Sequence, residues 1–537
     1  MANGLPAMAY ADGISKRKQV KFGGYNHTLG AENGELWDMQ NLTGDYYPLL
    51  SPRERRWTCR TLQKPNGFCA HDGLYWVDGT GFYAEGSLKG IVTDGRKKFT
   101  SLGAYIVILP DKKYYNRLTD EFGTLEQSWS GSAVIQDGTY AGESAKANTI
   151  CAGGTDWAAK FREGDAVTIT GAAAHPENNK TAVIREIEGD CLRFYENSFM
   201  VSEGGDSESL TISRTVPDLD YICENENRLW GCKGDTIYAS KLGDIFNWNV
   251  FDGVATDSFA VDVASTGDFT ACCSYLGYPC FFKEEHIYKV YGDKPSNFQV
   301  MGSASMGVEQ GSDESLAIAG EVLFYLSRTG IVAWSGGIPQ NISAAFGTQR
   351  FRNAVGGSDG TKYYVSMQDA AGTYQLFAYD TRTNLWHRED ETQAVGWGWN
   401  EELYCLDAGG KLWIRGNARS VPQGAEQEQL VQWMAEWADF YEYSSYSSSS
   451  TALPEKKGIG KLLLRLELDE DSSVQIDMQF DSDGEWRPVK MLQTEVKRSY
   501  YLPIIPRRCD HFRIRMTGTG GCRLYSMVRE VYNGSEL

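Results

Sequence analysis

The sequence predicts an all-β protein, a β-propeller that carries an inserted small β-barrel and a C-terminal β-sandwich. Three observations predict it: a hairpin unit that recurs along the chain, a spacing of about 40 residues between its later copies, and runs that alternate apolar and polar residues. The 58 glycines against 15 prolines are typical of turn-rich β structure. Seven aromatic landmarks predict about seven blades, with six or eight as alternatives.

The hairpin unit is clearest between Trp230 and Tyr238, where an aromatic residue ends one strand and Gly234-Asp235 reverses the chain. Strands favour β-branched and aromatic residues, and tight hairpins favour Gly, Asn or Asp where φ is positive. The other copies run from Tyr75 to Tyr83, Phe324 to Val332 and Tyr404 to Trp413, and the weaker ones from Tyr105 to Tyr114, Phe282 to Tyr288 and Tyr364 to Phe377. A period near 40 residues with several short strands is typical of propeller blades of about four strands.

Residues 1–65 are predicted to form an extended N-terminal arm, because Gly and Pro interrupt the stretch and no helical period is present. Its basic cluster Lys16-Arg17-Lys18 is expected to be a solvated tail. The start of the chain lacks the pattern of a secretory signal peptide. The first blades are expected at residues 66–125.

Residues 126–215 interrupt the hairpin repeat and are predicted to be the inserted small β-barrel. The runs Phe161–Thr170, Thr181–Ile187, Cys191–Tyr195 and Ser209–Ser213 each alternate apolar and polar residues, as half-buried strands do. Four to six such strands suit a small barrel, and a loop tip tolerates such an insertion. The second part of the propeller is expected at 216–425.

Residues 426–457 are predicted to be a helix followed by a Ser-rich linker. Leu430, Met434, Trp437 and Tyr441 follow one another at offsets of three and four, which is typical of a helical face. The tract at 443–450 is of low complexity and is expected to be a linker. Residues 458–537 alternate again over five runs and predict the β-sandwich.

The composition limits the partners and the compartment. A net charge of −19 argues against a surface that grips nucleic acid, since neutralising phosphates requires Lys and Arg. No run of about 18 apolar residues is present, so no membrane insertion is expected. The 12 cysteines include no C-x-x-C pair, and we expect them to be reduced, with synthesis in a reducing cytoplasm.

The sequence nominates no catalytic, cofactor-binding or metal-binding residue, and it predicts a protein that is not an enzyme. The six histidines are dispersed, without a metal-ligand spacing, and no nucleophile elbow or P-loop is present. A glycosidase needs two carboxylates about 5 to 10 Å apart, and the sequence alone selects no such pair.

Two short stretches of the predicted sandwich contain residue types that also occur in metal-binding or catalytic sites. Asp481–Trp486 is compatible with a calcium loop, but an Asp-Gly hairpin turn explains it with fewer assumptions. Arg507–His511 contains a Cys-His pair, for which an Arg-Asp clamp or a subunit contact is the preferred interpretation. Trp486, Tyr500 and Tyr501 are candidates for sugar contact, although sandwiches also need aromatic residues in their core.

Three stretches together resemble structural tail proteins of bacteriophages and prophages. They are the leader from Phe22-Gly-Gly to Pro48-Leu-Leu-Ser-Pro-Arg53, the run RLWGCKGDTIYASKLGDIFNWNVFD that begins at Arg228, and the tail SYYLPIIPRRCDHFRIR that begins at Ser499. The most similar architecture is that of propeller-containing tail nozzle or packaged-DNA stabilisation proteins. The resemblance implies no catalytic residue.

The resemblance implies a virion component that forms a homo-oligomeric ring in the tail, often a hexamer, closes or extends the DNA exit channel and supports other tail parts. Its implied partners are other tail and portal or adaptor proteins, and DNA that passes during ejection without specific binding. A negative lumen agrees with that passage, because it repels phosphates. The alternatives are a tail-tip protein that attaches to a host receptor or surface glycan, and a polysaccharide-cleaving propeller enzyme.

Overall fold

The prediction of an all-β protein is confirmed. The computed structural model describes residues 14–28, 34–440, 457–493, 498–505 and 507–533. The chain is 54% strand and 2% helix. Short 3-10 helices lie at Pro176–Asn178, Pro295–Asn297, Asp313–Ser315 and Ala344–Phe346. No helix in the described ranges has the length and apolar character that crossing a membrane requires.

The chain divides into two compact units. One unit contains Met1–Leu62, Glu314–Ser335 and Gln340–Leu537, and the other contains Gln63–Asp313 and Gly336–Pro339. Each unit is built largely from antiparallel sheets whose strands follow the order of the chain.

The unit that spans residues 63–313 contains four four-stranded sheets. Sheet 1 consists of Pro65–Ala70, Leu74–Asp78, Gly81–Ala84 and Ser87–Ile91. Sheet 2 consists of Lys98–Leu102, Tyr105–Leu109, Lys113–Asn116 and Glu121–Thr124. Sheet 3 consists of Tyr221–Asn225, Arg228–Lys233, Thr236–Ala239 and Phe259–Asp262. Sheet 4 consists of Ala271–Tyr275, Tyr278–Lys283, His286–Tyr291 and Gln299–Ala304.

The other unit contains three sheets of the same kind. Sheet 5 consists of Ala317–Ala319, Val322–Ser327, Gly330–Trp334 and Gln340–Asn341. Sheet 6 consists of Arg352–Ser358, Lys362–Gln368, Tyr374–Asp380 and Leu385–Arg388. Sheet 7 consists of Ala394–Asn400, Glu402–Asp407, Lys411–Ile414 and Trp57–Thr61, with Glu426–Gln427 at its edge.

Each of the seven hairpins identified in the sequence forms the second and third strands of one of these sheets, which confirms the repeated unit. In sheet 3 the turn residue Gly234 has a φ of +54°, which a residue without a side chain adopts without strain. Phe82, Ile106 and Ile108 are fully buried and belong to one apolar cluster shared by sheets 1 and 2.

The segment between sheets 2 and 3 forms a separate sheet that curls back on itself. Its strand order is Thr181–Val183, Ala166–Thr170, Asp206–Arg214, Gln127–Thr139, Lys146–Cys151, Cys191–Tyr195 and Glu186–Glu188. The two edge strands are consecutive in the chain and are separated only by Ile184 and Arg185. A core of its own, which includes the fully buried Trp157, Phe161 and Phe194, fills this insert.

A disulfide joins Cys151 to Cys191 in the insert, so the expectation that all cysteines are reduced is wrong for this pair. The two residues lie directly opposite each other on neighbouring antiparallel strands, with their Cα atoms 4.1 Å apart. That distance is short enough for a disulfide, and the spacing of the cysteines along the chain did not predict it.

Two five-stranded sheets, whose buried residues belong to one apolar cluster, contain the strands of the predicted sandwich, and we call them sandwich sheets A and B. Sandwich sheet A has the order Ile14–Gln19, Cys522–Asn533, Lys457–Leu468 and Ser499–Pro503, with Arg508–Cys509 beside the third strand. Sandwich sheet B has the order Leu36–Gln40, Gln432–Trp437, Phe512–Thr519, Ser473–Phe480 and Arg487–Gln493. Both sheets therefore include a strand from the first 40 residues of the chain.

The helix predicted within 426–457 is wrong, because Gln432–Trp437 is a strand of sandwich sheet B. Trp433, Ala435 and Trp437 are buried and alternate with more exposed residues, which is the period of a strand. Pairing with Leu36–Gln40 on one side and Phe512–Thr519 on the other outweighed the helical spacing. The Ser-rich tract at 443–450 lies outside the described residues.

The predicted extended arm is instead part of the folded unit, because its strands pair with both sandwich sheets and with sheet 7. Phe22 packs edge-on against Trp437 of sandwich sheet B, with ring centroids 6.2 Å apart, and Tyr25 packs against Phe377 of sheet 6 at 5.4 Å. A short ladder of Leu42–Thr43 with Ser51–Pro52 follows, and Trp57–Thr61 completes sheet 7. We call residues 14–61 the N-terminal segment.

Candidate functional site

A group of buried and half-buried charges surrounds the part of the N-terminal segment that leads into sheet 7. Arg53 and Arg56 meet Glu389 and Asp390, which follow the last strand of sheet 6, and Glu428, which follows the edge strand of sheet 7. Arg56 donates hydrogen bonds to Glu389 (2.6 Å) and Asp390 (2.7 Å). We call these five residues the arm clamp.

In the arm clamp, each arginine guanidinium lies in hydrogen-bonding geometry with a carboxylate of opposite charge. Arg53 donates to both carboxylate oxygens of Glu428, at 2.7 and 3.0 Å, which is the bidentate arrangement that an Arg-carboxylate pair favours. The Arg56 guanidinium also lies over the Trp413 ring, 4.0 Å from its centroid. Burial alone would raise the pKa of Asp390, but the charges of Arg56 and Arg53 lower it to about 2.

A second group of charges holds the loop between the two short strands of the N-terminal segment. Asp45 accepts hydrogen bonds from Lys362 (2.6 Å) and from Arg415 (3.3 Å), and Arg415 also pairs with Asp359. Lys362 is buried, so its ammonium depends on Asp45 and on the Thr43 hydroxyl (3.2 Å) for compensation. We call Asp45, Asp359, Lys362 and Arg415 the loop clamp.

His387 lies beneath this loop. Burial, assisted by the nearby charge of Lys362, lowers the pKa of His387 from its usual 6.5 to about 4, so the ring is neutral at physiological pH. A Cβ atom on Gly44 would come within 2.9 Å of the imidazole Cε1, so only glycine allows this close approach. The arrangement seats the loop and leaves no space for a substrate above the ring.

The Asp481–Trp486 stretch is a turn between two strands of sandwich sheet B, as the hairpin interpretation predicts. Asp481 and Ser482 have φ values of +51° and +50°, and Asp483 pairs with Arg487 (2.8 Å) and Arg507 (3.4 Å). The hydrogen bond from Arg487 lowers the pKa of Asp483. In the described part of the chain no group of three or more potential metal ligands has a geometry that could hold an ion.

The structure brings the Arg507–His511 stretch onto the same turn. The Ser482 hydroxyl lies 2.8 Å from Nε2 of His511, and the Asp510 backbone N–H donates to Asp481 at 2.7 Å. Asp439 Oδ1 is 3.9 Å from Nε2 of His511. Serine and aspartate therefore approach the same ring nitrogen, whereas a catalytic triad uses opposite nitrogens. The group acts as a clamp on the turn.

The remaining sandwich candidates separate into buried and exposed side chains. Cys509 is fully buried, donates to the Lys457 carbonyl (3.7 Å), and has its pKa raised to about 12 by burial, which disfavours a thiolate nucleophile. Tyr500 is a core residue. Trp486 is covered by the Arg515 guanidinium at 4.1 Å. Tyr501 alone among these aromatic candidates is largely exposed, at 69%.

Two described carboxyl groups have a pKa raised by burial, as a general acid would require. Asp407 lies at the end of a strand of sheet 7, and Glu436 lies on a strand of sandwich sheet B. Glu436 faces Arg513 at 3.3 Å, and Asp407 accepts a hydrogen bond from the Lys411 backbone (2.9 Å). The two residues lie on different sheets, and each already has a partner of its own.

Sequence reasoning missed both clamps. The signal for the arm clamp was the cluster of arginines at 53, 55 and 56 directly before Trp57, in a chain that is otherwise acidic. Their acidic partners lie more than 330 residues later, so no local pattern connects them. Asp439, the neighbour of His511, lies in the stretch that was predicted to be helical.

Comparison with known proteins gives no family. No protein-family model and no curated sequence matches the chain. Among solved structures, Raptor from Chaetomium thermophilum is similar with a TM-score of 0.31 and 12% identity, over 69% of this chain and 30% of that one. This chain therefore spans about a third of the length of Raptor.

Two further solved structures are similar at the same low level. PorZ, a bacterial surface component of the type-IX secretion system of Porphyromonas gingivalis, has a TM-score of 0.25 and 10% identity, over 87% of this chain and 77% of that one. An exo-β-1,3-galactanase from Phanerochaete chrysosporium has a TM-score of 0.22 and 8% identity, over 57% and 94%. None of the three is a phage protein, and similarities this weak give no basis for assigning a function.

Proposed function

We propose that the chain is a structural component of a phage tail, in which the seven meander sheets are blades of a β-propeller. Within one unit, the first strands of sheets 1, 2, 3 and 4 lie side by side in that order, and within the other, so do those of sheets 5, 6 and 7. Blades of a propeller are arranged in this way around their axis. The insert and the sandwich would then be attachments to that scaffold.

The single observation that carries a structural role is the threading of the N-terminal segment. Residues 14–61 supply strands to both sandwich sheets and to sheet 7, and buried ion pairs fix the stretch between them. Displacing the stretch between Gln40 and Trp57 would leave buried charges without partners, which is costly. A segment that joins three sheets in this way suits a component that keeps its shape while DNA under pressure passes or is held.

The charge of the chain also supports this proposal. A protein with a net charge of −19 repels a phosphate backbone, so DNA would pass it without being retained. The proposed ring is homo-oligomeric, with six copies as the favoured number, and its partners would be the neighbouring tail and portal or adaptor proteins in the virion.

The decisive experiment is electron microscopy of the purified protein together with measurement of its mass by light scattering. We expect a closed ring at high protein concentration, with blades visible in class averages. A protein that stays monomeric on concentration, and that antibodies do not find on particles of the phage that encodes it, would contradict the proposal.

A receptor-binding or glycan-binding tail tip is the second candidate, and the exposure of Tyr501 favours it. Exposed aromatic side chains often stack on sugar rings, and Tyr501 lies on the free edge strand of sandwich sheet A. Binding of the full chain to a glycan array, lost on Tyr501→Ala but kept on Tyr501→Phe, would favour this function. Turnover of a host polysaccharide would instead support the cleaving enzyme.

A further inference from the structure

The outer face of sandwich sheet A is basic in an acidic protein. In the strand Lys457–Leu468, Leu462, Leu464 and Leu466 point into the core, so the residues between them point outward. The pairing register then places outward residues side by side in rows across the sheet. We call the surface formed by Lys16, Lys18, Lys461, Leu463, Arg465, Arg498, Tyr501 and Val528 the basic face.

An apolar row crosses the middle of the basic face. Tyr501 lies opposite Leu463, Leu463 lies opposite Val528, and Val528 lies opposite Lys18. Tyr501 is 69% exposed, and Ile505, which follows the same edge strand, is 90% exposed. An apolar centre with charged surroundings is the composition of a protein interface.

The charges around this row are predominantly positive. The only carboxylate in the neighbouring row, Glu530, lies between Lys16 (3.6 Å) and Lys461 (3.3 Å), and Glu467 pairs with Arg498 at 2.6 Å. Lys18 and Arg465 form no ion pair within the described ranges. Two cations therefore remain uncompensated beside the apolar row.

We propose that the basic face docks on an acidic surface of a second copy of this chain, and thereby joins neighbouring subunits of the ring; this inference rests on the proposed function. The argument is charge complementarity. The chain has 71 acidic against 52 basic residues, so every copy offers acidic surface, while the basic face is a local exception. Opposite potentials bring such surfaces together and fix their register.

Contact between a basic face and a different, acidic surface is heterologous, and repeated contacts of that kind close into a ring when the rotation permits. The apolar row would supply the desolvated centre of the interface, with Tyr501 as its anchor. Lys18 and Arg465 would lie at the rim, where charges govern the rate of association and its sensitivity to salt.

The test is a charge reversal on full-length protein. The double variant Lys18→Glu/Arg465→Glu is compared with Lys490→Glu/Arg419→Glu, which changes the net charge equally at two exposed positions off this face. Mass photometry measures assembly at low and high ionic strength. We expect the first variant to raise the dissociation constant of assembly by about tenfold or more, and the control to assemble like the wild type.

The neutral variant Tyr501→Ala serves as a second test and is expected to weaken assembly while leaving the unfolding temperature unchanged. Mixed ¹⁴N- and ¹⁵N-labelled protein treated with a carbodiimide should give inter-copy cross-links from Lys18 or Lys461 to a carboxylate. Those cross-links identify the acidic counterpart, because the reagent joins only amines and carboxylates in direct contact.

The outcomes separate the inference from the function. If the wild type and the charge-reversal variant both form a ring, and the cross-links occur at other lysines, the basic face is not the interface. The tail proposal then still stands. A wild-type chain that never assembles overturns both. Unchanged assembly combined with loss of binding to a sulfated glycan probe would assign the face to a glycan and overturn the inference.

Discussion

At the residue scale, the structure uses its buried charges to hold the chain in place. The arm clamp and the loop clamp each join residues of the N-terminal segment to residues in or next to strands of sheets 6 and 7. Buried ion pairs contribute little net stability relative to apolar residues, but removal of one partner leaves an uncompensated charge. The clamps therefore specify where the segment lies more than they drive folding.

Arg56 is expected to be the most sensitive residue of the arm clamp. Arg56→Met leaves Glu389 and Asp390 buried with one cation fewer, and we expect a loss of about 3–5 kcal/mol in the free energy of unfolding. The matched control is Lys233→Met, whose half-exposed partner Asp220 is 3.5 Å away, with an expected change below about 1 kcal/mol. Equal losses in urea titrations of the two variants would refute this role.

His387 predicts a specific dependence of stability on pH. Its folded-state pKa of about 4 lies below the value of 6.5 expected when unfolded, so the unfolded chain takes up a proton first as the pH falls. The stability is fully present above pH 6.5 and is lost as the pH falls toward 4. Over that window the loss amounts to roughly 3 kcal/mol. His387→Gln should flatten the curve of unfolding free energy against pH; an unchanged slope would show that the ring is not neutral in the fold.

At the element scale, the N-terminal segment matters more than its sequence suggests. Deletion of residues 1–62 removes one strand from each sandwich sheet and one from sheet 7. We expect the product to aggregate or to lose its cooperative thermal transition, because three sheets then present open edges. Deletion of residues 1–13 alone is the control and should preserve the wild-type transition. A soluble, cooperatively folded product of the long deletion would contradict the threading.

The disulfide of the insert gives a second prediction at this scale. Cys151 and Cys191 lie 40 positions apart in the sequence, and their replacement by alanine should destabilise the insert by about 2–4 kcal/mol. Hydrogen exchange in Gln127–Thr139 measures this loss, and a reductant should reproduce it in the wild type while leaving the variant unchanged. Alkylation of both thiols in unreduced protein would show that the bond is absent.

The sequence predicted individual strands and hairpins well, but it did not predict which distant segments of the chain they pair with. Hairpins are local, so the recurring hairpin landmarks in the sequence located the second and third strands of all seven sheets, although the turns of sheets 2 and 4 contain no glycine. The pairing of Gln432–Trp437 depends on strands at 36–40 and 512–519, which no local pattern reveals. The same distance hid the clamps, whereas the Asp481–Trp486 turn, a local feature, was interpreted correctly.

At the scale of the whole molecule, net charge predicts how the protein behaves towards DNA. With a charge of −19 we expect no measurable binding of duplex DNA in gel-shift assays, even at low ionic strength. Replacing Lys16, Arg17 and Lys18 by alanine should leave that result unchanged. If the wild type binds DNA and this variant does not, the strand at residues 14–19 binds phosphates. That result would count against the passage of DNA without binding.

The pairing of the first described strand with the last has a consequence for biosynthesis. Residues 14–19 are made before every other described strand, yet their partners, such as Arg529 for Gln19, are made 510 residues later. While the intervening residues are being made, this strand has no hydrogen-bonded partner strand. Unpaired strands of this kind promote aggregation. Three consecutive cations in its middle counter that risk as gatekeepers. Completion of sandwich sheet A must therefore wait until its strand at Cys522–Asn533 has been made.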